Sequence, residues 1–179
     1  MSDKLVVYYS RANENYVSGQ LRRLEIGNTQ KAADIIARHT GADEFKIEQQ
    51  NPYSENYNEC IAQAQEDQRK DARPALKEYP ENLDKYSVIF LGYPNYWSTM
   101  PMAVFTFLEN TDLSGKTICP FCTHEGSGLG SSIKDIKKLC PSAKIVPGLA
   151  IHGTNVERFV SKIIGWLKSP EVSGNENSR

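Results

Sequence analysis

The chain has 179 residues, within the roughly 100–200 residues of one domain, so a second full domain is not expected. Hydrophobic residues make up 39%, charged residues 24%, and mean hydropathy is -0.53, which excludes a fibrous or disordered chain and leaves an ordinary globular one. Lys plus Arg is 21 and Asp plus Glu is 22, giving -1 at pH 7, so neither nucleic acid nor an anionic membrane is expected as a partner.

Met1-Ser2-Asp3-Lys4 leads into a short apolar run without a signal-peptide core or a small-residue cleavage site. No stretch reaches the roughly 18 apolar residues of a membrane-spanning helix. The expectation is a cytoplasmic protein. Its four cysteines, Cys60, Cys119, Cys122 and Cys140, then read as thiols and not as a disulfide framework.

Along the chain, Lys4 to Tyr9 is a β-branched and aromatic run without polar alternation, the pattern of a strand buried on both faces of a parallel sheet. Asn28-Thr29 opens a helix whose apolar positions Ala32, Ala33, Ile35, Ile36 and Ala37 keep helical spacing, and Gly41 ends it. Phe45 to Ile47 predicts a second strand, Asn51-Pro52-Tyr53 a turn, and Glu55 to Arg69 a polar, one-sided helix. Tyr86 to Gly92 is a continuous apolar run and predicts the central strand. Pro101 then leads Ala103 to Leu108 into a third helix. Lys116 to Phe121 predicts a fourth strand, followed by Gly126-Ser127-Gly128-Leu129-Gly130 and a helix through Leu139. Lys144 to Ile151 predicts a fifth strand broken at Pro147-Gly148, and Val156 to Leu167 a last helix. From Ser169 the chain is polar and aperiodic, so residues 169–179 read as a disordered tail beyond a single domain of residues 1–168.

Strands alternating with helices predict an α/β, doubly wound fold with a parallel sheet covered on both sides. In such a sheet the ligand lies beyond the carboxyl ends of the strands, where strand order reverses. Three loops therefore belong together. The first carries Ser10, Arg11 and Ala12, then Gly27, Asn28 and Thr29 at a helix start, a hydroxyl-rich turn with exposed amides that suits an anion. It lacks G-x-x-x-x-G-K-[ST], which excludes a nucleoside-triphosphate loop; equally, Asn28 or Thr29 could simply cap the helix. The second loop, Pro94, Asn95, Tyr96 and Trp97, puts aromatics at a strand end, suited to stacking a planar ligand or to packing over the neighbouring helix. The third, Thr123, His124, Glu125, Gly126, Ser127 and Gly128, lets backbone approach a ligand closely, and it is not a dinucleotide fingerprint because Ser131 stands where a third glycine is required.

The three loops, in this order, resemble the flavodoxin-like family over nearly the whole chain up to Leu167. Ser10 and Gly27-Asn28-Thr29 are similar to the two ends of the family's Ser-x-Thr-Gly-Asn-Thr phosphate loop, and Pro94-Asn95-Tyr96-Trp97 to its Pro-x-Tyr-Trp aromatic loop. The resemblance implies a three-layer sandwich with a five-stranded parallel sheet of order 2-1-3-4-5 and FMN as cofactor. It implies that Ser10 to Ala12 and Gly27 to Thr29 hold the phosphate with Arg11 as an electrostatic helper. Tyr96 and Trp97 would then flank the ring, and Thr123 to Gly128, with His124 as a ring contact, would line its polar edge. No side chain is expected to act as an obligatory acid or base. The implied function is electron transfer through bound flavin to a redox partner protein; the alternative is a NAD(P)H-dependent oxidoreductase that reduces a quinone or similar acceptor by two-electron transfer.

Three departures bear on that choice. Between Ser10 and Gly27 lie 16 residues where the compact motif has two. This insertion, with Tyr16, Val17, Leu21, Leu24 and Ile26, reads as a cover for the flavin or a homodimer contact. Electron-carrying flavodoxins are strongly acidic, whereas this chain is nearly neutral. Tyr93 to Ser98 contains no glycine to make a peptide flip cheap, so little semiquinone is expected.

Cys119-Pro120-Phe121-Cys122 matches C-x-x-C but lies in a strand, where residues three apart are about 10 Å apart, beyond the roughly 4.4–6.8 Å a disulfide tolerates. Adding His124 and Cys140 would give an irregular zinc set, and core thiols are the expectation, with no metal. His39 fits a contact at a helix C-terminus, and His152 either lines the cleft rim or is structural.

Overall fold

The computed structural model describes residues 2–153 and 158–174. In chain order the elements are β1 (Lys4–Tyr8), β2 (Asn13–Val17), β3 (Gln20–Leu24), α1 (Asn28–Thr40), β4 (Asp43–Lys46), α2 (Tyr57–Arg69), β5 (Val88–Pro94) and α3 (Met102–Glu109). They continue with β6 (Thr117–His124), α4 (Ser132–Leu139), β7 (Lys144–Ile145), β8 (Leu149–His152), α5 (Val160–Leu167) and α6 (Pro170–Ser173). The main sheet runs β4-β1-β5-β6, with β7 and β8 both pairing the far edge of β6, and every pairing in it is parallel. With β2 and β3 set aside, this is the order 2-1-3-4-5.

Alternation of side chains along the strands divides the core into two layers. Leu5, Val7, Ile89, Leu91, Ile118 and Cys122 face α3 and α4 through Ala103, Val104, Phe107 and Ile136. Val6, Tyr8, Phe90, Cys119 and Phe121 face α1 and α5 through Ala32, Ala33, Ile36 and Ile163. Each fully buried aliphatic or aromatic side chain contributes about 1.5–3 kcal/mol, and the sheet is apolar on both faces, as its unbroken hydrophobic runs require. Pro120 has no N–H for a ladder, and it falls where β6 passes from β7, paired at Thr117 and Ile118, to β8, paired from Phe121 onward. The break at Pro147-Gly148 in the fifth strand is the other side of that gap.

Several boundaries differ from the sequence reading. The insertion is an antiparallel hairpin, β2 with β3, closed by Ser18 (φ 52) and Gly19 (φ 78), two left-handed residues as a tight hairpin turn needs. The central strand is Val88–Pro94, shifted toward the site, because Leu83–Lys85 forms a short 3-10 turn before it. β6 extends to His124, so Thr123 and His124 belong to a strand end and not to a loop. α2 starts at Tyr57, capped by Asn56, whose side chain accepts from the Glu59 amide at 3.0 Å. The expected last helix begins at Val160 within the described residues; residues 156 and 157 of its predicted first turn lie outside them. Part of the expected tail is ordered: α6 places Val172 in the core beside α5, and only residues 175–179 lie outside the described residues. Among the described residues no helix is long and apolar enough to cross a membrane.

Candidate functional site

Two adjoining cavities open at the carboxyl ends of β1, β5 and β6. The smaller, about 60 Å³, is polar and is lined by Asn28, Thr29, Thr123, His124, Glu125 and Gly153. The larger, about 370 Å³, is lined by Tyr16, Tyr57, Cys60, Ile61, Ala64, Asn95, Trp97, Ser98 and Ser127. Arg11, Asn15, Pro94 and Tyr96 line both, so the two form one elongated cleft with a polar end and an aromatic end.

The polar end is built on the start of α1. Neither Asn28 nor Thr29 caps that helix: Gly27 is the N-cap residue and makes no side-chain cap bond, while the Ser10 hydroxyl accepts from the Gln30 amide at 3.1 Å. The amides of Asn28 and Thr29 come before that of Lys31, the first to reach a helix carbonyl (Gly27 O, 3.1 Å), so they have no intrahelical partner and carry the positive end of its dipole. Thr29 is 2% exposed and its hydroxyl meets that of Thr123 at 2.7 Å, tying α1 to the end of β6. Gly27 is fixed by packing, since a Cβ there would lie closer than 3.0 Å to the Ser10 hydroxyl and the Arg11 carbonyl. Beside this end, the His124 Nδ1 accepts from the Gly126 amide at 2.9 Å, and its ring stands edge-on to that of His152 at 5.5 Å. Burial, and then the neighbouring His152, hold the His124 imidazole below its usual pKa. His152 does not line either cavity, and its Nδ1 is buried without a partner.

The Arg11 guanidinium, beside both cavities, donates to the carbonyls of Glu14 (3.2 Å), Ser54 (2.7 Å) and Glu55 (2.7 Å), so it clamps the loop after β1 to the hairpin and to the loop before α2. The inserted hairpin lies along the start of α2: the Glu14 carboxylate accepts from the Tyr57 amide at 2.8 Å, and the Tyr16 and Tyr57 rings stack at 6.0 Å. The hairpin tip reaches the far loop, the Ser18 amide donating to Glu125 at 3.4 Å.

The aromatic end is set by the loop after β5. Trp97 (φ 52) and Ser98 (φ 71) are both left-handed, a strained state for non-glycine residues that concentrates at working sites. Their carbonyls are engaged: Trp97 O accepts from Gln68 Nε2 at 2.9 Å, and Ser98 O from the Ser131 amide at 2.7 Å. Asn95 links this loop to the one after β6, its Nδ2 donating to Gly128 O at 2.9 Å. The two readings of the aromatics coincide. Trp97 leans on α2, its Nε1 donating to Ile61 O at 3.0 Å, and still lines the cavity with 44% of its surface exposed. Tyr96 turns its ring into the cleft and its hydroxyl into the protein, toward the Cys60 thiol; burial pushes its pKa well above 10.

Of the residues singled out from sequence, Arg11, Asn28, Thr29, Pro94, Asn95, Tyr96, Trp97, Thr123, His124 and Glu125 line the cleft. Ser10, Ala12 and Gly27 shape its rim without lining it; Ser10 and Ala12 border a separate cavity behind β1, and Gly126 and Gly128 line neither end. The sequence reading missed Asn15 on the hairpin, Tyr57, Cys60, Ile61 and Ala64 on α2, and Gly153 after β8, while Tyr16, named there as part of the insertion, lines the aromatic end. The Ser18-Gly19 dipeptide could have signalled the hairpin. Cys119 and Cys122 lie in the two opposite core layers, and among the described residues no group of three metal-ligating side chains gathers.

The family model described as flavodoxin matches residues 24–168. A candidate flavoprotein from Bacteroides eggerthii is 28% identical, with a TM-score of 0.68 over 90% of this chain and 97% of its own. One from Bacteroides uniformis is 24% identical, with a TM-score of 0.72 over 93% and 97%. A flavoprotein from Lactobacillus acidophilus, solved in complex with FMN, is 14% identical with a TM-score of 0.64 over 87% and 96%; these last two show a shared fold. No curated protein matches the chain.

Proposed function

Because the chain belongs to the flavodoxin family, we propose that it is an FMN-binding redox protein whose single binding domain spans residues 1–168. One observation carries the reading: the cleft has a polar end at the start of α1 joined to an aromatic end between Tyr96, Trp97 and the hairpin, which suits a ligand with a phosphate at one end and a planar ring at the other. The residues present fit the group. The amides of Asn28 and Thr29, which have no intrahelical partner, offer donors to a phosphate, and the absent side chain of Gly27 leaves Ser10 and Arg11 packed against the helix start. Tyr96 and Trp97 offer ring faces, and Thr123 to Gly128 offer backbone to the polar edge of the ring. FMN supplies the electron chemistry when bound; the chain anchors, stacks and shields it.

Two modes of use follow, and the loop after β5 favours one. Its carbonyls are held by Gln68 and Ser131, so the peptide reorientation that stabilises one-electron steps has to break these bonds. That supports two-electron reduction of a small acceptor such as a quinone over a carrier role toward a redox partner protein. No side chain in the cleft is assigned as an acid or base. The binding test is the absorption spectrum of protein mixed with FMN and freed of excess by gel filtration: one protein-bound flavin per chain is expected, and a colourless protein would refute the reading. Steady NADPH oxidation with a quinone is expected next, whereas FMN binding without turnover would favour the carrier.

A further inference from the structure

We propose that the outer part of the inserted hairpin, Tyr16 to Leu21, is a strap that lifts off the cleft to let a flavin in or out; the inference rests on the FMN reading above. Arg11 and Asn15 line both ends of the cleft, so the chain passes over the place where the two ends join as it enters the hairpin. Beyond that point the hairpin touches both sides. The Tyr16 ring stacks on that of Tyr57 on α2 at 6.0 Å, and the Ser18 amide donates to the Glu125 carboxylate beyond β6 at 3.4 Å. A ligand that fills both ends lies along this bridge, and its way in is closed on that side while the bridge is down. Tyr16 also lines the ring end, which favours the insertion as a cover over a contact between two copies of the chain.

The hairpin is held unevenly. Its root is braced: the Asn15 Nδ2 donates to the carbonyls of Arg11 (3.1 Å), Ala12 (3.2 Å) and Asn13 (3.2 Å), the Arg11 Nε to that of Glu14 (3.2 Å), and the Glu14 carboxylate accepts from the Tyr57 amide at 2.8 Å. The outer part is tied by the ring stack and by a hydrogen bond longer than the usual range of about 2.7–3.2 Å. Of the ten residues in β2 and β3, Val17 alone is buried, and it belongs to neither core layer, so lifting the strap leaves the sheet packed. A two-stranded hairpin with so little buried surface opens at a smaller free energy than the domain as a whole. Tyr16 and Val17 pair with Leu21 and Gln20 across the Ser18-Gly19 turn, so the outer part moves as one piece and bends beside Asn15. Flavin exchange in either direction then passes through one opening step, and the strap sets how long the flavin is retained.

The test is stopped-flow quenching of FMN fluorescence on the full chain, which gives association and dissociation rates separately, for wild type, Tyr16→Ala and Tyr16→Phe after circular dichroism has checked folding. Loss of the stacked ring in Tyr16→Ala removes one tie of the closed strap, and an aromatic pair of this kind corresponds to a change of roughly two- to tenfold. Both association and dissociation are expected to quicken by about that factor in Tyr16→Ala, while Tyr16→Phe, which keeps the ring, stays close to wild type. Faster dissociation with unchanged association would make Tyr16 a contact of the bound ring and overturn the strap, as would rates that do not change. Equal acceleration in Tyr16→Phe would place the effect on the hydroxyl and overturn it too. Should Tyr16→Ala fail to fold, hydrogen exchange on wild type carries the test: amides of residues 16–21 should exchange faster than those of β1 without ligand and slow at saturating FMN, and exchange indifferent to FMN would overturn the proposal. Wild type that shows no FMN binding at equilibrium would refute the FMN reading itself.

Discussion

Replacing Gly27 by alanine isolates one packing constraint at the start of α1. Its backbone (φ -67, ψ 154) is open to any residue, so the loss of unfolded-state freedom alone would stabilise the variant by about 0.4–1 kcal/mol. Against this, the new Cβ would lie under 3.0 Å from the Ser10 hydroxyl and from the carbonyl carbon and oxygen of Arg11. That carbonyl cannot swing away freely, because Asn15 holds it at 3.1 Å and the Arg11 side chain anchors the same residue to Ser54 and Glu55. Overpacking against constrained backbone costs about 1–3 kcal/mol, so the net loss is about 1–2 kcal/mol, or about 2–8 °C in Tm for a chain of this size. Gly165, exposed in the middle of α5 with nothing within 4 Å of its added Cβ, is the control. There alanine should raise stability by about 0.5–1 kcal/mol through helix propensity. Thermal unfolding followed by circular dichroism measures both. A Gly27→Ala variant as stable as wild type, or both variants moving in one direction, would refute the argument.

Other predictions follow from the buried groups. Cys119 and Cys122 are fully buried and burial pushes their thiols up to about 12, Cys140 to about 11 and Cys60 above its ordinary value. At pH 8 a thiolate-specific reagent should therefore label none of the four quickly in the folded protein and all of them in denaturant; rapid native labelling of Cys119 or Cys122 would contradict their burial. Because the folded pKa of His124 lies below its unfolded value of about 6.5, its contribution to stability is present above that value and is lost as pH falls through the lower folded one. His124→Asn should flatten the stability profile in that acid window, and an unchanged profile would remove His124 as its source. Dithionite titration of the FMN-loaded protein should pass to the fully reduced form with little blue intermediate, and Gln68→Ala, which frees the Trp97 carbonyl, should increase it; abundant blue species in wild type would show that the loop is not locked.

What could be read from sequence was the part governed by periodicity. The continuous apolar runs at Lys4 to Tyr9 and Tyr86 to Gly92 marked the interior strands because both faces of the sheet are covered, and Gly41 ended α1 as the left-handed residue its C-terminus needs (φ 70). The loops at the strand ends followed from the topology. The hairpin was less legible, since Gln20-Leu21-Arg22-Arg23-Leu24 carries charge and little β-branching; its pairing depends on a two-residue turn and on docking against α2. The clamp made by Arg11 was not legible because its carbonyl partners at Ser54 and Glu55 lie more than forty residues away in sequence. Tyr57, Cys60, Ile61 and Ala64 reach the cleft from a helix whose polar sequence gave no hint of it.

The most direct test of the FMN cleft is a titration of isotopically labelled protein with FMN, followed through its backbone amide resonances. The account predicts saturable shifts concentrated at residues 10–15, 27–29, 94–98 and 123–128, with α3 and α4 little changed. Shifts centred elsewhere, or none at saturating FMN, would contradict it.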